Sequence, residues 1–268
     1  MFSRWLEIKS GSALIFGPRR CGKTTYLRMK FPDFAYATLD DLDLLALAKK
    51  DPKGFVSRLG KQAIIDEIQR HPELTVAVKY AIDNEGGRFL MTGSSSIGLL
   101  DAAADTLAGR IDLFSLPTAC WGEDKGPPTH RIFDDRQDPL EQKEASRSLG
   151  ETLRCGLFPE IMTAPNAEAK TDVLRRYKNS YFTRDIMRLS NIENAEAILA
   201  LYLNIARSLG SHLEIAHFAR EAGLSQITAK KYLMSILQSQ LAFRLTGYQF
   251  GPAKRALRAA KSASSKVE

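Results

Sequence analysis

Short apolar runs alternate with amphipathic segments over the first 120 residues. Each run is bounded by polar residues, which is typical of a buried strand. The runs occupy 13–16, 34–39, 63–65, 89–91 and 111–116. The segments between them carry apolar residues at helical spacing, for example over 42–47 and 74–82. This alternation predicts an α/β fold with a parallel sheet and helices on both faces, and ligands bind such sheets at the carboxyl ends of the strands.

The last third of the chain has a different pattern, with helices and few strand signals. Helical spacing predicts helices over 195–209, 215–222 and 226–237. A tight turn separates the last two helices, and Ser225 is placed to cap the third one. With a short β wing over 241–250, these elements would form a winged helix-turn-helix.

The residues on the outward face of the third helix indicate which kind of partner this region would bind. A winged helix either reads DNA with that helix or serves as a compact lid or docking module for a protein client. Apolar residues share one face, which leaves Gln226, Lys230 and Lys231 outward. Two lysines are few for a DNA-reading surface, so packing is favoured over sequence reading.

Composition is that of an ordinary globular protein, with 44% hydrophobic and 26% charged residues among 268. No apolar run is long enough to cross a bilayer, and the first residues lack the apolar core of a signal peptide, so a cytoplasmic location is expected. The formal net charge of +7 is concentrated in the tail 253–268, which is predicted to be disordered. Such a basic tail is more often a solvated end than a binding arm. The cysteines, Cys21, Cys120 and Cys155, are too few and scattered for a disulfide framework or a zinc site.

The stretch Gly17-Pro18-Arg19-Arg20-Cys21-Gly22-Lys23-Thr24 joins the first strand to a helix and has the spacing of a P-loop. Gly17 and Gly22 allow the backbone to direct its N–H groups at phosphate oxygens. Lys23 would bind the β- and γ-phosphates, and the Thr24 hydroxyl would hold Mg2+. Residues 17–25 are the predicted nucleotide-binding residues, although Thr25 fits a helical position better than a ligand position. A chance glycine-rich turn is the alternative, which the strand before and the helix after disfavour. The loop therefore predicts ATP and Mg2+ as ligands.

Two acidic residues follow the strand 63–65, in the manner of a Walker B motif. Asp66 would order the metal, and Glu67 would orient or deprotonate the water that attacks the γ-phosphate. An isolated Asp-Glu pair is usually a solvated strand end, but a preceding P-loop makes that the minority interpretation. Lys23 and Glu67 are thus predicted catalytic residues.

Further polar residues flank the neighbouring strands. Thr92 and Ser94 follow 89–91 and are candidates for sensing the γ-phosphate, although a simple turn there is nearly as well supported. Arg110 precedes the fifth strand and is the third predicted catalytic residue, a nucleotide sensor that acts on its own subunit or on a neighbour in a homo-oligomer. A surface salt bridge is the alternative role for Arg110.

A change of composition divides the chain, because proline and acidic residues crowd a segment with few apolar ones. The predicted parts are a P-loop ATPase domain over 1–121, a linker over 122–150, a helical lid or connector over 151–194, a winged helix-turn-helix over 195–252 and the basic tail over 253–268. Within the connector, 167–189 is a strong helix candidate whose aromatic residues are expected in a core.

The order of these motifs resembles a family of prokaryotic AAA-superfamily ATPases that carry a winged helix and then a C-terminal domain of unknown function. The matching stretches are GPRRCGKTT, IIDEIQ, FLMTGSS, TLAGRI, the turn 156–160, the pair 184–185 and GLSQITAKKYL. The resemblance implies an ATP-binding domain followed by helical and winged-helix parts, and it implies no particular biological role.

Two departures from that family's pattern matter. Cys21 stands where such proteins often have valine, a harmless change because the position contributes a backbone N–H. The chain also stops soon after Phe250, where family members usually continue into a domain that looks nuclease-like. A shortened member is therefore expected, and no nuclease activity is carried over.

The functional expectation is a Mg2+-dependent ATPase whose nucleotide state repositions the winged-helix region. The alternative is a DNA-binding regulator that uses ATP as a switch with little hydrolysis. A small-molecule kinase is less favoured, because Glu67 beside Asp66 suits hydrolysis better than transfer to an acceptor. A non-catalytic nucleotide-binding scaffold is also compatible with the sequence.

Overall fold

The structure is a computed structural model, which describes residues 4–94, 106–120, 122–123, 149–179, 194–208, 210, 214–240 and 242–245. Contacts divide the chain into two compact units, 1–176 and 177–268. This division does not test the predicted domain limits, so the separate linker and connector stay predictions. Among the described residues, no helix is long and apolar enough to span a membrane.

Five parallel strands form the sheet of the first unit, in the order β2-β3-β4-β1-β5. The strands are β1 Ser12–Gly17, β2 Ala35–Thr38, β3 Gln62–Asp66, β4 Arg88–Ser94 and β5 Ile111–Ser115. All five predicted strands are confirmed, with limits that differ by at most three residues. β4 lies between β1 and β3. Gly17, which ends β1, and Asp66, which ends β3, therefore lie on either side of the end of β4.

Helices lie between the strands and after β5, and local sequence signals mark where several of them begin. The helices are α1 Lys23–Lys30, α2 Leu42–Lys50, α3 Pro52–Leu59, α4 Leu74–Glu85, α5 Leu149–Cys155, α6 Pro159–Met162 and α7 Ala167–Tyr177. Asp41 caps α2 by accepting hydrogen bonds from the N–H groups of Asp43 and Leu44. The pattern over 42–47 predicted one helix, whereas Asp51 ends α2 and caps α3, which Pro52 begins. Residues 180–189 of the predicted helix 167–189 lie outside the described residues.

The core of the first unit has one cluster on each face of the sheet. Alternate strand residues point to opposite faces, so Leu14 and Ile65 belong to one buried cluster while Ile15 and Ile64 belong to the other. Both faces are thus covered, which is why the strands are continuously apolar rather than alternating. This packing leaves the strand ends as the place for polar chemistry.

The described residues of the second unit include three helices that contact one another: α8 Ala195–Arg207, α9 Ile215–Glu221 and α10 Gln226–Gln238. Gly223 has φ +64° in the turn before α10, and the Ser225 hydroxyl accepts from the Thr228 N–H, as predicted for an N-cap. A mostly helical region is therefore confirmed. The predicted wing falls largely outside the described residues, and 242–245 carry no strand, so the winged helix-turn-helix stays a prediction.

Candidate nucleotide-binding site

The loop between β1 and α1 is held in a fixed curl. A Cβ on Gly17 would lie 2.1 Å from the Leu116 carbonyl oxygen, so only glycine fits against the chain that follows β5. Gly22 has φ +92° and Arg20 has φ +59°, both in the left-handed region. The strained Arg20 backbone shows that the loop conformation is imposed by its surroundings.

Lys23 reaches back into this loop. Its side chain is buried, and Nζ donates hydrogen bonds of 2.9 Å to the carbonyl oxygens of Gly17 and Pro18. These bonds compensate the burial of an ammonium group. Nζ of Lys23 thus lies inside the loop, where the P-loop spacing predicts it. A bound phosphate would compete with the two carbonyl oxygens for this donor.

Arg4 fastens the loop from the other side, a contact that no sequence signal indicates. Its guanidinium donates to the Cys21 carbonyl in the loop, at 2.8 Å to the Pro117 carbonyl, and at 3.0 Å to Glu123 Oε2. The Arg4 and Glu123 side chains are 8% and 6% exposed, so this ion pair is buried. Glu123 falls in the predicted linker but is part of the first unit's interior.

Cys21 is a buried member of the loop and not an exposed thiol. Burial raises the pKa of the Cys21 thiol, and the positive charges of Lys23 and Arg4 oppose that effect only in part. The thiol therefore stays protonated at neutral pH and fills space beneath Gly17, in agreement with a residue whose backbone matters more than its side chain.

Asp66, which ends β3, collects three hydroxyl donors. Thr24 Oγ1 donates to Asp66 Oδ1 at 2.7 Å, and Thr92 Oγ1 donates to the same oxygen. Tyr36 donates its phenol hydrogen to Asp66 Oδ2 at 3.1 Å. The predicted metal residues Thr24 and Asp66 are thus brought together, with Thr92 of the intervening strand.

This donor set suits Mg2+. Hydroxyl and carboxylate oxygens are hard ligands, and Mg2+ in nucleotide sites uses one or two carboxylates together with phosphate oxygens. In the described part of the chain, no group of three or more His, Cys, Asp and Glu side chains is arranged to hold a metal without such phosphates. Thr24 and Asp66 therefore fit a metal that arrives with nucleotide.

Glu67 leaves the sheet in a left-handed turn, with φ 59° and ψ 42°. Its N–H donates to Thr92 Oγ1 at 3.3 Å, and its carboxylate accepts from Gln69 Nε2. Gln69 Nε2 also donates to Ser94 Oγ at 3.0 Å. The side chains of Glu67 and Ser94 are thereby linked through Gln69, a residue that the sequence analysis did not single out.

Burial raises the pKa of the Glu67 carboxyl. The hydrogen bond from Gln69 and the charges of Arg19 and Lys23 act in the opposite direction without cancelling it. A carboxylate with a raised pKa is a better proton acceptor than an ordinary one, which suits a residue that activates water. The same burial limits its access to bulk solvent.

An open cavity of about 600 Å³ adjoins the loop. Its lining residues are Arg4, Arg20, Gly22, Thr25, Tyr26, Met29, Lys30, Pro159, Glu160 and Thr163. Arg20 is exposed and pairs with Glu160 Oε2 at 3.3 Å, while Thr25 is exposed on α1. The predicted site residues Arg20, Gly22 and Thr25 thus face this cavity.

Arg110 is not brought to the loop of its own chain. It precedes β5, where Ile111 pairs with Ser12 at the start of β1, five residues before Gly17. At about 3.3 Å per residue, that separation is about 16 Å along the strand. Arg110 instead donates to Asp83 Oδ1 at 2.7 Å on the surface, the alternative considered for it. Action across a subunit interface stays a prediction.

The parallel sheet with flanking helices, and the loop that joins β1 to α1, define a P-loop nucleoside triphosphatase fold. Residues 9–123 match a family described as an AAA domain, and residues 146–263 match a domain of unknown function, DUF8612. The first match supports an AAA-type, nucleotide-binding P-loop domain; the second carries no functional description.

Two similar proteins are each described as an uncharacterized protein. A protein of Mycobacterium tuberculosis is 28% identical over 253 residues, which are 92% of this chain and 52% of the relative. A protein of Methanocaldococcus jannaschii is 25% identical over 271 residues, covering 93% of this chain and 60% of the relative. The chain therefore spans about half to three-fifths of the length of these relatives.

Two solved structures are similar over most of the chain. Aeropyrum pernix ORC1 protein in complex with DNA matches with a TM-score of 0.40 and 10% identity, covering 97% of this chain and 83% of that one. A variant of Thermotoga maritima RuvB matches with a TM-score of 0.38 and 16% identity, covering 94% and 87%.

Proposed function

We propose that the protein binds ATP with Mg2+ and hydrolyses it at the carboxyl edge of the sheet. The observation that carries the proposal is the convergence on Asp66, which joins the hydroxyls of Thr24 and Thr92 next to a loop that surrounds Lys23. A solvated strand end would not bury its acid among three donors. The AAA-domain match over the same residues supports the proposal.

Each group has a distinct task in this proposal. Loop N–H groups and Lys23 hold the β- and γ-phosphates, and Thr24 and Asp66 hold the metal, which when bound neutralises phosphate charge. Glu67 accepts a proton from the attacking water or orients that water. The 600 Å³ cavity beside Gly22 offers room for the base and ribose, with Tyr26 and Met29 as apolar contacts.

Phosphate release from ATP tests this assignment. Glu67→Gln should reduce turnover by about 10²–10⁴-fold, the usual contribution of a general base, while nucleotide binding persists. Glu85→Gln, an exposed glutamate at the end of α4, is the matched control and should turn over like the wild type. Unchanged turnover in Glu67→Gln would remove Glu67 from its role.

We further propose that the nucleotide state is transmitted toward 177–268 through Glu160. Its two carboxylate oxygens accept from Arg20 of the loop at 3.3 Å and from Arg176 of α7 at 3.0 Å. Arg176 is the last residue of the first unit. If a nucleotide draws Arg20 away from Glu160, the ion pair between Glu160 and Arg176 of α7 should change as well. The chain continues from α7 into the second unit.

Hydrogen exchange of 195–240 with and without nucleotide tests this route. The wild type should show a nucleotide-dependent difference that Glu160→Gln reduces at equal nucleotide occupancy. Glu168→Gln, exposed on the same α7, is the control and should behave as wild type. An undiminished difference in Glu160→Gln would exclude this route.

The second candidate function is ATP-switched DNA binding through α10. This helix contains no acidic residue, and Gln226, Ile227, Lys230 and Lys231 are exposed on it. A recognition helix contacts base edges near its N-terminus, where Ile227 is 84% exposed. The exposure of Met234 further along the helix equally suits an apolar protein client.

Duplex binding measured against salt concentration separates these partners. DNA binding predicts an affinity that falls with salt and is weakened by the double change Lys230→Glu and Lys231→Glu. The matched control is Lys49→Glu with Lys50→Glu, an adjacent exposed pair on α2 that changes the charge equally. No detectable binding at low salt would exclude DNA and leave a protein client.

A further inference from the structure

Tyr36 lies in the edge strand β2, outside the predicted motifs. Register places Tyr36 beside Ile64 and Thr38 beside Asp66, so the ring extends along the sheet toward the acid. Its hydroxyl donates to Asp66 Oδ2 at 3.1 Å. An edge-strand residue thereby reaches the carboxylate that ends the neighbouring strand.

The donors on Asp66 are unevenly divided between its two oxygens. Thr24 and Thr92 both donate to Oδ1, whereas Tyr36 donates to Oδ2. A carboxylate can rotate about its Cβ–Cγ bond unless both oxygens are held. Because the two threonines act on one side, Tyr36 supplies the opposing restraint on Asp66 within the described part of the chain.

The Tyr36 ring is itself held in place. The Arg28 guanidinium of α1 lies over it, 4.8 Å from the ring centroid. Thr24 belongs to the same helix, so α1 contacts the acid directly through Thr24 and indirectly through Arg28 and Tyr36. Tyr36 as a whole is 38% exposed, so the residue does not belong to the buried core.

We propose that Tyr36 is a positioning residue for Mg2+, acting through Asp66 and not on the nucleotide. The inference rests on the proposed function, since it requires a metal that accompanies nucleotide. Partners that orient a ligating or metal-ordering group commonly change metal affinity by about 10- to 100-fold when they are lost. A purely structural tyrosine would instead change stability or all binding alike.

The experiment uses the full chain and a fluorescent ATP analogue, titrated with Mg2+ or held in EDTA. Tyr36→Phe removes one oxygen and keeps the ring under Arg28. It should raise the half-saturating Mg2+ concentration by about tenfold. Affinity for the analogue in EDTA and the midpoint of thermal unfolding should match the wild type.

Tyr80→Phe is the matched control, because Tyr80 is also half-exposed with a cation over its ring, on α4. It should leave the Mg2+ dependence unchanged. A wild-type Mg2+ dependence in Tyr36→Phe, or equal weakening with and without Mg2+, would overturn the positioning role alone. A wild type that does not bind the analogue in a Mg2+-dependent way would overturn the proposed function together with this inference.

Discussion

The parallel strands end at what we call the carboxyl edge of the sheet and begin at its amino edge. Charged residues at these two edges have contrasting environments. At the carboxyl edge, Lys23 and Asp66 are buried and each makes several hydrogen bonds. At the amino edge, Arg110 and Asp83 form one ion pair with side chains 35% and 36% exposed. Strand direction explains the difference, because residues that follow parallel strands converge at one edge and residues that precede them lie at the other.

The largest expected effect is at Lys23. Lys23→Ala removes the ammonium that the loop surrounds, and we expect nucleotide-dependent turnover to fall by at least about 10²-fold. Phosphate release and binding of a fluorescent ATP analogue measure the loss. Lys61→Ala, an exposed lysine just before β3 at the amino edge, should retain full activity. Equal losses in both variants would remove the distinction between the edges.

Arg4 tests whether the loop depends on a buried ion pair. Arg4→Ala leaves Glu123 buried and unpaired, which should lower the free energy of unfolding by about 3–5 kcal/mol. Urea denaturation measures this change. Arg110→Ala breaks an exposed pair and should leave the urea midpoint nearly unchanged. A urea midpoint for Arg4→Ala equal to that of the wild type would contradict a stabilising role for the buried Arg4–Glu123 pair beside the loop.

Gln69 provides a test based on pH. The Glu67 carboxyl must be ionised to accept a proton, and burial raises its pKa, so kcat/KM should decline with falling pH above the range of an ordinary glutamate. Gln69→Ala removes a hydrogen bond that lowers this pKa. The acid limb should therefore move to higher pH.

The control for this pH profile is Gln62→Ala, at the exposed start of β3. It should retain the wild-type acid limb. A limb that moves to lower pH in Gln69→Ala would show that hydration of Glu67 outweighs the lost hydrogen bond, which contradicts the role given to Gln69.

The smallest effect is expected for Arg110 within one chain. Arg110→Ala should leave ATP-analogue binding unchanged, because its position is about 16 Å from the loop along the strand. Turnover per chain measured over a range of protein concentrations separates the two roles of Arg110. If wild-type turnover rises with protein concentration and Arg110→Ala loses turnover only in that range, Arg110 acts across a subunit interface. Weaker binding of the ATP analogue by Arg110→Ala in dilute protein would contradict the placement of Arg110 away from the loop of its own chain.

Local patterns predicted much of this molecule. The five strands and the loop at 17–24 follow from apolar runs and glycine spacing, and Asp66 follows from its place after a buried strand. Local patterns miss Arg4 and Tyr36 because their contacts depend on how distant segments pack. They miss Gln69 because its link from Glu67 to Ser94 depends on the neighbouring strand β4. Arg110 lies away from the loop of its own chain because it precedes β5, and its motif does not show at which end of the sheet it lies.

The account depends most directly on Asp66 as the organiser of the carboxyl edge. Mg2+-dependent phosphate release should be compared between Asp66→Asn and Asp83→Asn, the same change at the other edge. Loss of turnover in Asp66→Asn, with analogue binding in EDTA retained and full turnover in Asp83→Asn, is the predicted result. Equal turnover in the two variants would contradict the assignment of a hydrolytic site to this edge.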